Sequence, residues 1–273
     1  MNSHIPIKAF VINLDDSKHN YEKQKPHLED LGLEVHRFSG INGTKDEHLE
    51  YTQYITLFAL EFSPKSVIGC SLSHILLAKY ISENYDDPYY LIFEDDAYPL
   101  EKYNTREIFN TELSRTINDI NAIDPTWDII SLCSYALAGS TNNINVLTGC
   151  AAAYLINRNS VKKLSKQKVT WHHDIMCNIF YKKYKSKTNL FITDESSSTN
   201  RIKQTVYFYT LKKYILSNVL QLDKSISVDD YISYKLLKIN NTDYTVNNII
   251  DILCIMVICL IVYFIIHKTK IIV

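Results

Sequence analysis

Tyr89-Tyr90-Leu91-Ile92-Phe93-Glu94-Asp95-Asp96-Ala97-Tyr98-Pro99 is the stretch that decides the fold. Its first five residues are aromatic or branched and uninterrupted, the mark of a strand buried on both faces of a parallel sheet. The run stops at three adjacent carboxylates, Glu94, Asp95 and Asp96. In open α/β sheets ligands bind beyond the carboxyl ends of the strands, so these acids are expected where a ligand would sit. Adjacent like charges repel unless something neutralises them. A hard divalent cation that prefers oxygen ligands, Mg²⁺ or Mn²⁺, does this most directly. The plainer alternative is a solvated turn that caps the following helix.

Working outward, residues 8–14 are a second buried-strand run, followed by Asp15-Asp16-Ser17 as a cap for a helix over residues 18–31, which Gly32 ends. Residues 33–38 alternate as a strand, and residues 39–44 are a turn. The unit is β-α-β. A right-handed crossover makes its strands parallel and brings the loop after Leu14 to the same edge as Glu94 if the strands share a sheet. Further helices are expected over residues 46–62, over 69–83 entered at Ser71 or Ser73, over 105–120, over 160–167 and over 175–184. Residues 127–133 read as a strand. Residues 149–157 combine small side chains with a β-like end, so backbone or a ligand can approach closely at Ala151, Ala152 and Ala153. His74, near the start of its helix, reads more readily as a packed, hydrogen-bonded histidine than as a ligand.

The chain has 273 residues, 46% of them hydrophobic and 22% charged, enough for a substantial globular core. A net charge of −1 supplies no basic field, which argues against nucleic acid as a partner. The six cysteines form no Cys-x-x-Cys pair and no dense framework, and read as reduced thiols. The first residues lack the charged and apolar regions of a secretory signal, so the N-terminus has cytosolic character.

Beyond Arg201 the pattern changes. Residues 202–222 are amphipathic, and residues 223–248 are polar and Asn-rich, as a linker or stalk would be. From Ile252 to Ile266 the sequence is uninterrupted and apolar, extended by Ile249 and Ile250 across Asp251. As a helix, residues 249–266 would cover about 27 Å, close to a bilayer core of ~30 Å, which predicts a single-pass C-terminal transmembrane anchor with 267–273 as a short tail. Basic residues flank both ends, so orientation is not set. A buried core helix is the alternative.

Four segments, in this order and spacing, resemble glycosyltransferase family 25, the group of lipopolysaccharide and collagen β-galactosyltransferases. They are Phe10-Val11-Ile12-Asn13-Leu14-Asp15, Gly69-Cys70-Ser71-Leu72-Ser73-His74, Leu91-Ile92-Phe93-Glu94-Asp95-Asp96-Ala97 and Gly149-Cys150-Ala151-Ala152-Ala153-Tyr154-Leu155-Ile156. Asp174 matches an aspartate that the family carries after its Ala-Tyr strand. The resemblance covers roughly residues 7 to 200. It implies an α/β fold of GT-A type, a mixed Rossmann-like sheet flanked by helices over residues 1–222. It also implies a nucleotide-sugar donor, usually a UDP-sugar, with galactose as the sugar the family suggests, and inverting transfer to a hydroxyl of a glycan, lipid-linked glycan or protein. The family usually follows its first strand with Asn-Leu-Asp-Arg and a further Arg four residues on; this chain carries Asp16 and Asn20 there. Lysine cannot copy the planar fork that an arginine offers a phosphate, so Lys18 and Lys23 nearby are not equivalents.

The chemistry assigns roles by residue type. A sugar nucleotide leaves as a diphosphate, and a divalent cation bridging its oxygens offers the largest help. Asp96 is the first candidate ligand, with Glu94 two residues earlier on the same face for metal or ribose, and Asn13 and Leu14 at the neighbouring strand end for the donor. Asp95 then points away or toward the acceptor. Asp174, at a helix start, is the candidate base for the acceptor hydroxyl, and His172 or His173 could complete the metal shell, though adjacent histidines at a helix start more often serve as capping and surface groups. Two other functions fit less of the pattern: a membrane-anchored binding protein of the same fold without turnover, and a metal-dependent phosphohydrolase, which would need a second acid cluster or a nucleophile motif.

Overall fold

The computed structural model describes residues 7–136, 148–194, 235–239 and 242–245, and Met256. The chain divides into two units, Met1–Leu60 with Lys65–Arg201 and Glu61–Pro64 with Ile202–Val273. The first runs β1 (Lys8–Asn13), α1 (Lys18–Asp30), β2 (Glu34–Ser39), α2 (Leu57–Phe62), α3 (Lys65–Asn84), β3 (Tyr89–Glu94), β4 (Ala97–Pro99), α4 (Arg106–Ile123) and β5 (Ile129–Ser131). It continues with β6 (Tyr135–Ala136), β7 (Thr148–Gly149), β8 (Ala153–Asn157), α5 (Arg158–Leu164), α6 (His173–Phe180), β9 (Lys183–Lys185) and β10 (Phe191–Thr193).

Six strands form one mixed sheet in the order β2-β1-β3-β8-β5-β9. β1 is parallel to both β2 and β3, with Ile12 opposite Glu94, while β8 runs antiparallel between β3 and β5. The sheet is Rossmann-like and flanked by helices. Both faces of its centre are buried, which is why β1 and β3 read as continuous apolar runs. Ala9, Val11, Leu91 and Phe93 pack on one side with Leu28 of α1 and Phe109 of α4. Phe10, Ile12, Tyr90 and Ile92 pack on the other with Leu72 and Ile75 of α3. The period of two thus feeds two cores from one strand.

The β1-α1-β2 unit forms as its sequence predicts, and Gly32, at φ +81°, closes α1 in the left-handed region where glycine is favoured. Ser17 occupies the N-cap of α1 without a side-chain capping bond; Asp15–Ser17 is a 3-10 turn, with Asp15 paired to Arg37 and Asp16 to Lys45 and Asn42. Residues 46–62 are not one helix: 3-10 turns at Gly43–Lys45 and Glu47–Tyr54 precede the short α2. α3 begins at Lys65, so Ser71 and Ser73 are interior residues, bonded to Trp171 O and Gly69 O at 2.9 and 2.7 Å, and cap nothing. The helix expected over 175–184 ends at Phe180 and gives way to β9, which joins the sheet edge beside β5. At Ala152 and Ala153 the close approach is made by backbone: their carbonyls accept from Glu94 N–H at 2.8 Å and from Leu132 N–H at 2.9 Å.

In the second unit, Lys235–Ile239 and Thr242–Thr245 pair as an antiparallel hairpin within the segment expected as linker. The apolar run 249–266 lies outside the described residues except for Met256. Among the described residues no helix is long and apolar enough to cross a membrane.

Candidate functional site

At the carboxyl ends of β1 and β3 lies a cavity of about 230 Å³. Its walls come from Leu14, Asp16 and Ser17 after β1, residues 41–44 after β2, one face of α3, and the acidic turn of Glu94, Asp95 and Asp96.

The segment from Gly69 to His74 builds one wall by helical spacing. Gly69 and Ser73 share the face that holds the β2 loop: Ser73 Oγ accepts from Ile41 N–H at 2.8 Å and donates to Gly69 O. The backbones touch here. A Cβ on Gly69 would lie 2.5 Å from Gly43 N, and one on Gly43 only 1.7 Å from Lys65 O. One residue on, Cys70 and His74 share the next face and meet Glu94: Oε1 lies 3.7 Å from Cys70 Sγ and 3.3 Å from His74 Nε2. His74 Nδ1 is 2.9 Å from the Tyr154 hydroxyl of β8, and the His74 ring stacks on His173 at 3.9 Å between centroids, 1° from parallel.

The three acids meet three environments. Asp95 accepts from Asn13 Nδ2 at 2.5 Å and Asn20 Nδ2 at 3.4 Å, which ties the turn to β1 and α1. Burial raises its pKa while the two amides pull it back down. Glu94 faces Cys70 and His74. Asp96 is buried, and its Oδ1 has no hydrogen-bond partner among the described residues. Burial, with Glu94 and Asp95 adding like charge, pushes the Asp96 carboxyl up to about 8. The turn is braced from below by Gln24 of α1, whose Nε2 donates to Glu94 O at 2.8 Å and Ala97 O at 2.6 Å.

Of the residues singled out from sequence, Leu14, Glu94, Asp95 and Asp96 line the cavity. Asn13 does not: its amide is occupied by Asp95 and Ser17 O, and its carbonyl oxygen takes Arg37 Nε at 2.7 Å. Asp174 sits in the first turn of α6, with Oδ2 accepting from the N–H of Cys150, a residue at φ +74°. Burial, together with the field of Glu94, Asp174 and Asp96, raises the Cys70 thiol pKa well above its usual range. His173 is buried with Nε2 3.3 Å from Cys177 Sγ, and burial beside His74 drives its pKa well down. The Cys70–His74–Glu94 grouping and the Gln24 brace were not anticipated. The i,i+4 spacing of Cys70 and His74 is the one signal in the sequence that pointed to the first.

A Rossmann-like sheet with an acid-lined cavity at the carboxyl ends of adjacent parallel strands defines a ligand-binding α/β protein. The chain belongs to glycosyltransferase family 25 (LPS biosynthesis protein), whose family model matches residues 6–181. No curated protein matches the chain. Among solved structures, a glycosyltransferase involved in the glycosylation of the major capsid of PBCV-1 is similar at 10% identity and TM-score 0.42, over 71% of this chain and 94% of that one. A197 from STIV aligns at 12% identity and TM-score 0.38, over 73% and 99%. An active-site mutant of LgtC aligns at 11% identity and TM-score 0.37, over 74% and 82%.

Proposed function

We propose that the chain is an inverting glycosyltransferase of GT-A type that binds a nucleotide sugar, a UDP-sugar with galactose as the family's suggestion, in the β1/β3 cavity and transfers the sugar to an acceptor hydroxyl. The observation that carries this is the buried Oδ1 of Asp96 at the cavity, which has no hydrogen-bond partner among the described residues. The cavity is lined by Asp16, Glu94, Asp95 and Asp96, with no lysine or arginine among the described lining residues. A diphosphate would be repelled there without a cation.

These residues fit an oxygen-seeking divalent ion: Asp96 offers an unused carboxylate oxygen, and Glu94 stands beside it. When bound, Mn²⁺ or Mg²⁺ would neutralise charge on the leaving diphosphate. The chain's own residues do the positioning. Gln24, Asn13 and Asn20 hold the acidic turn, while Gly43 and Gly69 let the β2 loop close the cavity wall. Asp174 is the proposed base: with Oδ2 fixed by Cys150 N–H, Oδ1 would take the proton of the acceptor hydroxyl. Residues 249–266 are proposed as a membrane anchor, so that a chain ending at 248 should move from the membrane to the soluble fraction.

The test is calorimetric titration of UDP-sugars with and without Mn²⁺, beside turnover of Asp174→Asn. Donor binding should require the ion. Asp174→Asn should keep donor affinity and lose kcat by about 10²–10⁴-fold. Cation-independent binding would remove Asp96 from its role, and unchanged kcat would leave Asp174 as an anchor for Cys150.

A further inference from the structure

Cys70, His74 and Glu94 are not needed as a trio for the hard-cation chemistry above, yet their ligating atoms converge within 4.8 Å of one another. The two separations to Glu94 match a particular geometry, and the third, between Cys70 and His74, lies within 4.8 Å. Ideal zinc bond lengths at tetrahedral angles require ligand-to-ligand edges of about 3.6 Å between sulfur and carboxylate oxygen and about 3.4 Å between imidazole nitrogen and oxygen. The observed distances are 3.7 and 3.3 Å. We propose that these three side chains form a second divalent-cation site, selective for ions of the zinc class, on the wall of the cavity.

Three observations support it independently. Cys70 and His74 are one helical turn apart on the rigid 20-residue α3, so two ligands are fixed by backbone geometry. The second nitrogen of His74 is held by the Tyr154 hydroxyl, the outer partner that orients histidine ligands and fixes their tautomer. All three residues line the cavity, which leaves a fourth coordination position toward it, as in zinc sites that keep one open ligand. The thiolate and imidazole select against Mn²⁺ and Mg²⁺, which favour oxygen donors.

The protons balance simply. A Glu94 carboxylate can only accept, which sets the ion-free tautomer of a neutral His74: Nε2–H donates to Glu94 and the Tyr154 hydroxyl donates to Nδ1. On binding, the imidazole proton moves to Nδ1 and is donated to the Tyr154 oxygen, which frees the Nε2 lone pair. Cys70 releases its thiol proton to solvent, so one proton leaves per ion. Glu94 would then be withdrawn from Asp96, and a zinc-class ion would compete with the donor's cation.

The test uses the full chain stripped of metal, titrated with Zn²⁺ and Co²⁺ in the absence of any nucleotide sugar, so its outcome is independent of the proposed transferase activity. One ion should bind with release of one proton, and Co²⁺ should show a thiolate charge-transfer absorption. Cys70→Ser should abolish that absorption and weaken Zn²⁺ by about 100-fold or more, and Tyr154→Phe should weaken it by about 10–100-fold. Cys133→Ser should change neither, which excludes the Cys133–Cys150 thiol pair, 3.4 Å apart, as the source. If Cys70→Ser does not fold, Cys70→Ala serves in its place. Absence of a stoichiometric ion, retention of the absorption without Cys70, or Mn²⁺ displacing Zn²⁺ at equal concentration would each overturn the proposal.

Discussion

Asp96 makes the acidic turn a measurable liability in the absence of a cation, and Asp96→Asn should remove it. The carboxyl's ordinary value is 3.8, and in the folded chain burial beside Glu94 and Asp95 raises it to about 8. The folded state therefore holds a proton that the unfolded chain gives up. Stability from this group is fully present below about pH 4 and drains away as pH rises toward 8. Each unit is worth about 1.4 kcal/mol, so between about pH 5 and pH 8 the wild type should lose roughly 3–4 kcal/mol from this one group. Asparagine keeps the shape and cannot ionise. Urea unfolding of both proteins in a chelator at pH 5, 6, 7 and 8 reads the effect of the Asp96 carboxyl together with its repulsion from Glu94 and Asp95. The difference in unfolding free energy should swing toward Asp96→Asn by that amount across the series. A difference that stays flat with pH would mean that Asp96 ionises freely, and the argument for a cation at this position would fall with it.

Two stability predictions test what shapes the cavity. Gly43→Ala should destabilise by about 3 kcal/mol or more, the upper end of overpacking costs, because the new Cβ meets Lys65 O at 1.7 Å; Gly40→Ala, whose nearest contact is Ile12 Cγ2 at 3.1 Å, is the control and should cost far less in thermal unfolding. Gln24→Met should cost about 2 kcal/mol through two lost hydrogen bonds to Glu94 O and Ala97 O. Stability of Gln24→Met within a few tenths of wild type in urea would show that the turn holds itself.

The β1-α1-β2 unit and β3 were legible because each has a local cause: an unbroken apolar run, a glycine at positive φ, a crossover of fixed hand. Element ends in the second half were less so. β9 and β10 are three residues each, and their pairing is decided by distant strands, β5 and β4 respectively. Helix α3 shows another limit. Ser71 and Ser73 look like N-caps, but buried partners, the Trp171 carbonyl and the Gly69–Ile41 contact, satisfy their hydroxyls inside the helix. A capping serine and a packing serine differ only in what stands opposite.

The same limit governs the acids. Strand periodicity places Glu94 and Asp96 on one face and Asp95 on the other; Asp95 bonds to Asn13 and Asn20 while still lining the cavity beside Glu94 and Asp96. Position 20, where the resemblance would set an arginine, carries one of these amides, so Asn20 helps to hold the turn. Asp16, at the other departure, is neutralised by Lys45 at 2.6 Å while still lining the cavity. With Asp16 and Asn20 at these two positions, the described lining residues of the cavity include no lysine or arginine. On the proposed reading a bound ion supplies the affinity for a diphosphate, and the oxygen for it is Asp96 Oδ1, buried without a partner among the described residues, in a turn fixed by Asn13, Asn20 and Gln24. The departures from the family pattern and the perturbed carboxyl thus fit one electrostatic arrangement, in which the proposed cation would take over phosphate recognition that arginines would otherwise share.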